Sequence, residues 1–187
     1  MTVTVVAPAV EHHREPLGIG ESRPRLSFKV AGPACWSQQA YDMEVVFDGG
    51  AVEVARVESA ESVLMPWPFR SLRSREPVRV RVRVLGTGQL SDWSPPTTLE
   101  VGLLSPGDWQ GQPVGGNWEE NPDSDTRRPP LVRRSFELDR RPVCARLYVT
   151  AHGLYEVEIN GGPVSVRRQW LRDGRCTASA FVAPPTT

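Results

Sequence analysis

The chain has 187 residues, enough for one large domain or two small ones, and its 22 basic residues balance 22 acidic ones. That balance excludes the basic excess of a nucleic-acid binder, and Cys35, Cys144 and Cys176 lie too far apart for zinc spacing or a disulfide framework. No stretch is long and apolar enough to span a bilayer, and MTVTVVAPAVEHHREP lacks the charged-then-apolar pattern of a signal peptide, so a cytoplasmic protein with no membrane partner is expected.

Glu11-His12-His13 comes first and reads as a surface loop. Adjacent histidines on extended chain point to opposite sides, and no third metal ligand is evident. Gly18-x-Gly20 lacks the strand–loop–helix context of a phosphate cradle and reads as a turn. Period-two alternation then takes over. In RLSFKV, Leu26, Phe28 and Val30 share a face; in AYDMEVVF, Tyr41, Met43, Val45 and Phe47 do. FDGG turns the chain into AVEV. VRVRVRV places Val78, Val80, Val82 and Val84 inward and Arg79, Arg81 and Arg83 outward. GTGQLSDWSPP is a turn, and TTLEVGLL is a further strand. Short strands with turn signals between them, and no amphipathic helix, predict an all-β antiparallel sandwich over residues 1–104.

Residues 105–129 are rich in Gly, Pro, Asn and Asp and read as a linker. Strands resume in LVRRSFELD, CARLYVTA and LYEVEING, where Asn160-Gly161 predicts a type I′ hairpin. The returning segment GGPVSVRRQWLRDGR alternates poorly. Residues 130–163 therefore read as the start of a second, incomplete β-sandwich, and 164–187 as a disordered tail.

Candidate chemistry is sparse. Glu119, Glu120, Asp123 and Asp125 could supply a carboxylate pair for glycoside hydrolysis, but in a Pro/Gly-rich linker nothing sets their pKa values apart. In a neutral chain, Arg79, Arg81 and Arg83 read as a solvent-facing sheet surface. Trp36, Trp67 and Trp93 flank strands and read as core anchors, while Trp67, Trp109 and Trp118 are the candidates for stacking on sugar rings. No residue is assigned a catalytic, cofactor-binding or metal-binding role, and no cofactor is expected.

The order of several phrases is more specific than any motif. EHHREPLGIGESRPRLSFKV, QQAYDMEV, ESVLMPWPFRSLRSRE, VRVRVRVLGTGQLSDWS and LEVGLLSPGDW resemble the N-terminal region of bacterial α-L-rhamnosidases, glycoside hydrolase family 78. PLVRRSFELD and ARLYVTAHGLYEVEING continue the likeness, which covers roughly residues 10–161. The resemblance implies a fibronectin type III-like sandwich followed by the start of a jelly-roll or lectin-like one. It also implies an inverting hydrolase of terminal α-L-rhamnose, whose carboxylates sit on a downstream (α/α)₆ barrel. None of those catalytic residues maps to a position here. Rhamnosylated glycosides are thus expected as partners only through that barrel, and the sandwiches as its scaffold. The alternative is a stand-alone carbohydrate- or protein-binding module.

After the ING turn the family continues with a phrase like PGWTxYxxRxxYxTYDV, from which this chain departs. Read from the third base of each codon, codons for residues 171–186 can spell PGWTVYRQRLRRPTY; GAT-GGA for Asp173-Gly174, for example, contains TGG, a tryptophan codon. A slipped reading frame after about Gly161 is the expectation that follows.

Overall fold

The computed structural model describes residues 2–118, 130–140, 145–151 and 154–164, and the backbone of 166–170 and 176–182. Up to Val101 the strands are β1 (Thr4–Val5), β2 (Ala9–Val10), β3 (Leu17–Ile19), β4 (Leu26–Ser27), β5 (Val30–Ala31), β6 (Ala40–Phe47), β7 (Val52–Glu58), β8 (Pro77–Gly86), β9 (Gln89–Leu90) and β10 (Thr97–Val101). One six-stranded sheet runs β3-β10-β8-β6-β7, with β9 paired to β8. Its pairs are antiparallel except β3 with β10, which are parallel.

The opposite layer is assembled from short pieces. β1 pairs with β5 and β2 with β4, while Leu26 and Met65 exchange backbone bonds of 3.0 and 2.7 Å. The six-residue run read as one strand, RLSFKV, is thus split: β4 and β5 pair with different partners. Between the layers lie Leu26, Phe28, Tyr41, Met43, Val45, Val78, Val80, Val82, Val84 and Leu99, all buried. Each fully buried side chain of this kind contributes about 1.5–3 kcal/mol, which is why the alternation in β6 and β8 fixes their register. The segment between β7 and β8 completes the core with Met65, Trp67, Phe69 and Leu72.

Turns follow the chemistry of their residues. Gly49 (φ 89°) and Gly50 (φ 87°) let β6 return as β7, a conformation that L side chains reach only with strain. Asn160 (φ 54°) and Gly161 (φ 77°) both take positive φ and join β12 (Glu158–Ile159) to β13 (Gly162–Pro163). A type I′ turn needs that pair of angles.

Several expectations are corrected. Gly18-x-Gly20 is not merely a turn: Gly18 (φ 71°) lies inside β3, at the sheet edge. LVRRSFELD forms no strand; Leu131, Val132, Phe136 and Leu138 are exposed, and residues 130–138 pair with no described strand. In LYEVEING only Glu158–Ile159 is extended in a ladder. A strand is stabilised by the ladder it joins, so alternation without a neighbour does not produce one. In the described backbone of residues 164–187, β14 (Val166–Trp170) and β15 (Cys176–Val182) form a sheet with β11 (Ala145–Ala151) in the order β11-β15-β14. Backbone N–H and C=O groups make that ladder whatever the side chains, so poor alternation does not forbid it. Glu119, Glu120, Asp123 and Asp125 lie outside the described residues.

Candidate functional site

The solvent face of the six-stranded sheet carries a network of ion pairs and ring contacts. In register, Asp42 on β6 lies between Arg56 on β7 and Arg83 on β8, and Glu44 faces Arg81. Arg56 donates to Asp42 through Nε (2.7 Å) and Nη2 (3.0 Å), and Arg83 Nε donates at 2.9 Å. Arg81 grips Glu44 with Nε (2.7 Å) and Nη2 (2.9 Å). The guanidinium carbons of Arg83 and Arg81 lie 4.4 and 4.9 Å from the centroid of the Trp93 ring. A continuous ladder results: Arg56, Asp42, Arg83, Trp93, Arg81, Glu44. Forked carboxylate binding and stacking on a ring both require a planar guanidinium.

Trp93 reaches this position because SDWS is stitched to β8. Ser91 Oγ accepts the Val84 N–H at 3.0 Å and Ser94 Oγ accepts the Val82 N–H at 3.1 Å. Their own amides donate back to the Val84 and Val82 carbonyls at 2.9 and 2.8 Å. The two serines thus extend the pairing of β8 where Pro95 and Pro96 supply no N–H.

Asp42, Glu76 and Glu11 are tuned toward the charged state. Hydrogen bonds from Arg56, opposed by burial and joined by those from Arg83, hold Asp42 below the usual aspartate value. Arg70 does the same for Glu76. Burial works to raise Glu11, but hydrogen bonds from the Arg25 side chain and amide outweigh it and leave the carboxyl lowered. A general acid at neutral pH requires the opposite shift. Chemically the arrangement suits positioning and rigidity.

The tryptophan candidates separate. Trp67 is 2% exposed, donates Nε1–H to the Arg70 carbonyl at 2.8 Å and meets Phe69 edge-on at 5.2 Å. It is a core residue, packed in the main hydrophobic cluster; the flanking Pro66 and Pro68 gave no sign in the sequence of which way the ring turns. Trp36 also packs against the core, half-buried. Trp109 is half-buried over Gly111, whose added Cβ would lie 3.0 Å from Nε1. Trp118 is 40% exposed, with its ring against Gly116. Sequence reasoning missed Asp42 and Glu44; the available signal was their phase in AYDMEVVF, opposite the arginines of VRVRVRV once β6 and β8 pair.

Comparison with known proteins places these features in a family. The model of the Rha78A-like, N-terminal immunoglobulin domain matches residues 5–105. The chain belongs to this family. Its immunoglobulin-like domain contains the whole Arg–Trp ladder and Trp67, whereas Trp109 and Trp118 follow it. An α-L-rhamnosidase of Formosa agariphila is 30% identical over 83% of the chain, and one of Streptomyces avermitilis is 27% identical over 86%. The chain spans 18% of the length of each of these curated relatives. Among solved structures, native α-L-rhamnosidase from Aspergillus terreus matches with a TM-score of 0.70 and 33% identity, covering 97% of this chain and 24% of that one. The Streptomyces avermitilis enzyme complexed with L-rhamnose matches with a TM-score of 0.54 and 32% identity, over 58% of this chain and 11% of its own. The immunoglobulin domain of this family is an all-β sandwich, as its sequence alternation predicts. Among the described residues no helix is long and apolar enough to cross a membrane.

Proposed function

We propose that the chain is a non-catalytic N-terminal part of an α-L-rhamnosidase, acting as scaffold for a catalytic barrel elsewhere in the protein. The observation that carries this reading is the match of residues 5–105 to an N-terminal domain, within likenesses to α-L-rhamnosidases that span over four-fifths of the chain. The carboxylate chemistry supports it: Asp42, Glu76 and Glu11 are bound to arginines and held acidic, a state suited to structure rather than to proton donation. In the whole protein, inverting hydrolysis of terminal α-L-rhamnose would require two carboxyl groups across the bond, one kept protonated. The test is an aryl α-L-rhamnoside assay on the purified chain. No release of aryl alcohol is expected. Activity that follows the protein through purification and disappears in Glu119→Gln or Glu120→Gln would overturn the reading.

A second reading rests on Trp118, an exposed residue in a Gly-rich segment. Under it, the chain itself holds a sugar ring by stacking. Calorimetric titration with L-rhamnose decides: binding lost in Trp118→Ala supports it, and no heat with the parent chain dismisses it.

A further inference from the structure

The two edges of the six-stranded sheet are built differently. On the β7 edge, Glu53 lies opposite Val45 and so on the core-facing side of the sheet. A charge on that side of an edge strand discourages another strand from adding there. On the β3 edge, by contrast, β14 and β15 lie against β3.

Two side-chain contacts reinforce this second edge. Arg146, on β11, donates from Nε to both oxygens of Glu100, on β10, at 2.7 and 2.9 Å, and from Nη2 as well. The pair is largely withdrawn from water, with side-chain exposures of 20% and 13%. The Arg75 guanidinium lies 5.5 Å from the centroid of the Tyr148 ring, also on β11. Burial pushes the Tyr148 phenol up, and the charge of Glu100 adds to that, against Arg75 and Arg146.

Arg75 is itself unusual. Its φ of 65° is left-handed, a conformation that glycine adopts freely and arginine only with strain. Its N–H donates to the Val101 and Gly102 carbonyls, both at 3.1 Å, and its Nη2 to the Asp108 carbonyl at 2.8 Å. Asp108 in turn accepts from Ser74 Oγ and from the Ser105 amide (2.9 Å), and Ser74 Oγ accepts the Leu104 amide at 2.9 Å. The SPGDW stretch is therefore tied to the turn that aims Arg75. The left-handed turn at Arg75 is held from both sides and sends its side chain across to β11.

We infer that the β3/β10 side of the sheet is a docking surface committed to β11, with Arg75 and Glu100 as its positioning residues, so that β11 and the first β-module move as one body. The inference concerns this chain without substrate and stands whether or not the hydrolase reading does.

Hydrogen exchange read by mass spectrometry tests it on the full chain. In Arg75→Gly with Glu100→Gln, exchange in 145–151 is expected to accelerate at least about ten-fold, the effect of one lost charge-assisted bond on local opening. Exchange in 78–84 should stay as in the parent, because glycine keeps the Arg75 turn without strain. The charge swap Glu100→Arg with Arg146→Glu should restore protection of 145–151 relative to Glu100→Arg alone. Unchanged exchange in 145–151 would overturn the inference. So would parallel acceleration in 78–84, which would make these residues part of the sandwich's own stability. A swap no better than the single variant would also count against it.

Discussion

Trp67 offers the sharpest test of how the core is read, because one residue was a candidate for two incompatible roles. Its ring fills the space between the layers beside Phe69, and its N–H is spent on the Arg70 carbonyl. Trp67→Ala removes the ring and opens a cavity, a change that costs about 3–5 kcal/mol in buried sites. The Arg70 carbonyl also loses a donor, worth about 1 kcal/mol more. Set against a domain stability of roughly 5–15 kcal/mol, this variant is expected to lose from about a quarter to all of it. Trp67→Phe is the graded version. It loses the hydrogen bond and part of the ring, about 2 kcal/mol, which for a domain of this size lowers Tm by roughly 8–16 °C. Thermal and urea unfolding followed by circular dichroism would measure both. A Trp67→Phe variant that melts within about 2 °C of the parent would refute the reasoning, since a surface ring is the usual case for so small an effect.

Gly86→Ala should destabilise by about 1–3 kcal/mol in urea unfolding, since a Cβ there would overlap the Ser37 carbonyl oxygen and come 2.6 Å from Trp36 Cε2. Asp42 and Glu76 have lowered folded-state values, so their stabilisation is complete above the ordinary 3.8 and 4.5 and is lost as pH falls through the lowered values; Asp42→Asn should flatten that acid limb of a Tm-against-pH curve. Residues 130–138 should exchange amide hydrogens far faster than 78–84, and equal protection would show that LVRRSFELD has found a partner strand. If the reading frame slipped, DNA beyond codon 161 should continue as coding sequence in the neighbouring frame; a stop there within a few codons would remove that proposal.

What the sequence made legible was set by where one face of a strand is buried. In VRVRVRV a one-residue slip would put arginines in the core, so the phase is unambiguous, and all four valines are buried. Asn160-Gly161 was legible because few residue pairs accept two positive φ values. The second layer was harder to read. β4 and β5 are two residues each, and their partners are decided by distant chain. Alternation also misled in LVRRSFELD, since pattern records a strand's two faces and says nothing of whether a neighbour is present. The Glu100–Arg146 pair was invisible for a related reason: 46 residues separate the partners, and nothing in TTLEV or ARLYVTA says that the two strands meet.

The ladder on the outer sheet face also bears on how a gene for this protein could drift. Of its 22 basic residues, 21 are arginine and only Lys29 is lysine, a bias that points to GC-rich codons. A gene moving toward AT-rich codons ordinarily exchanges arginine for lysine with little consequence on a protein surface. Arg81 and Arg83 do not permit that exchange. An ammonium can neutralise Glu44 or Asp42, but it cannot hold Glu44 by two parallel bonds as Arg81 does, nor set a delocalised guanidinium over Trp93 as both arginines do. At these two positions codon usage is bound to the ring and the carboxylates beside them rather than free to follow the genome.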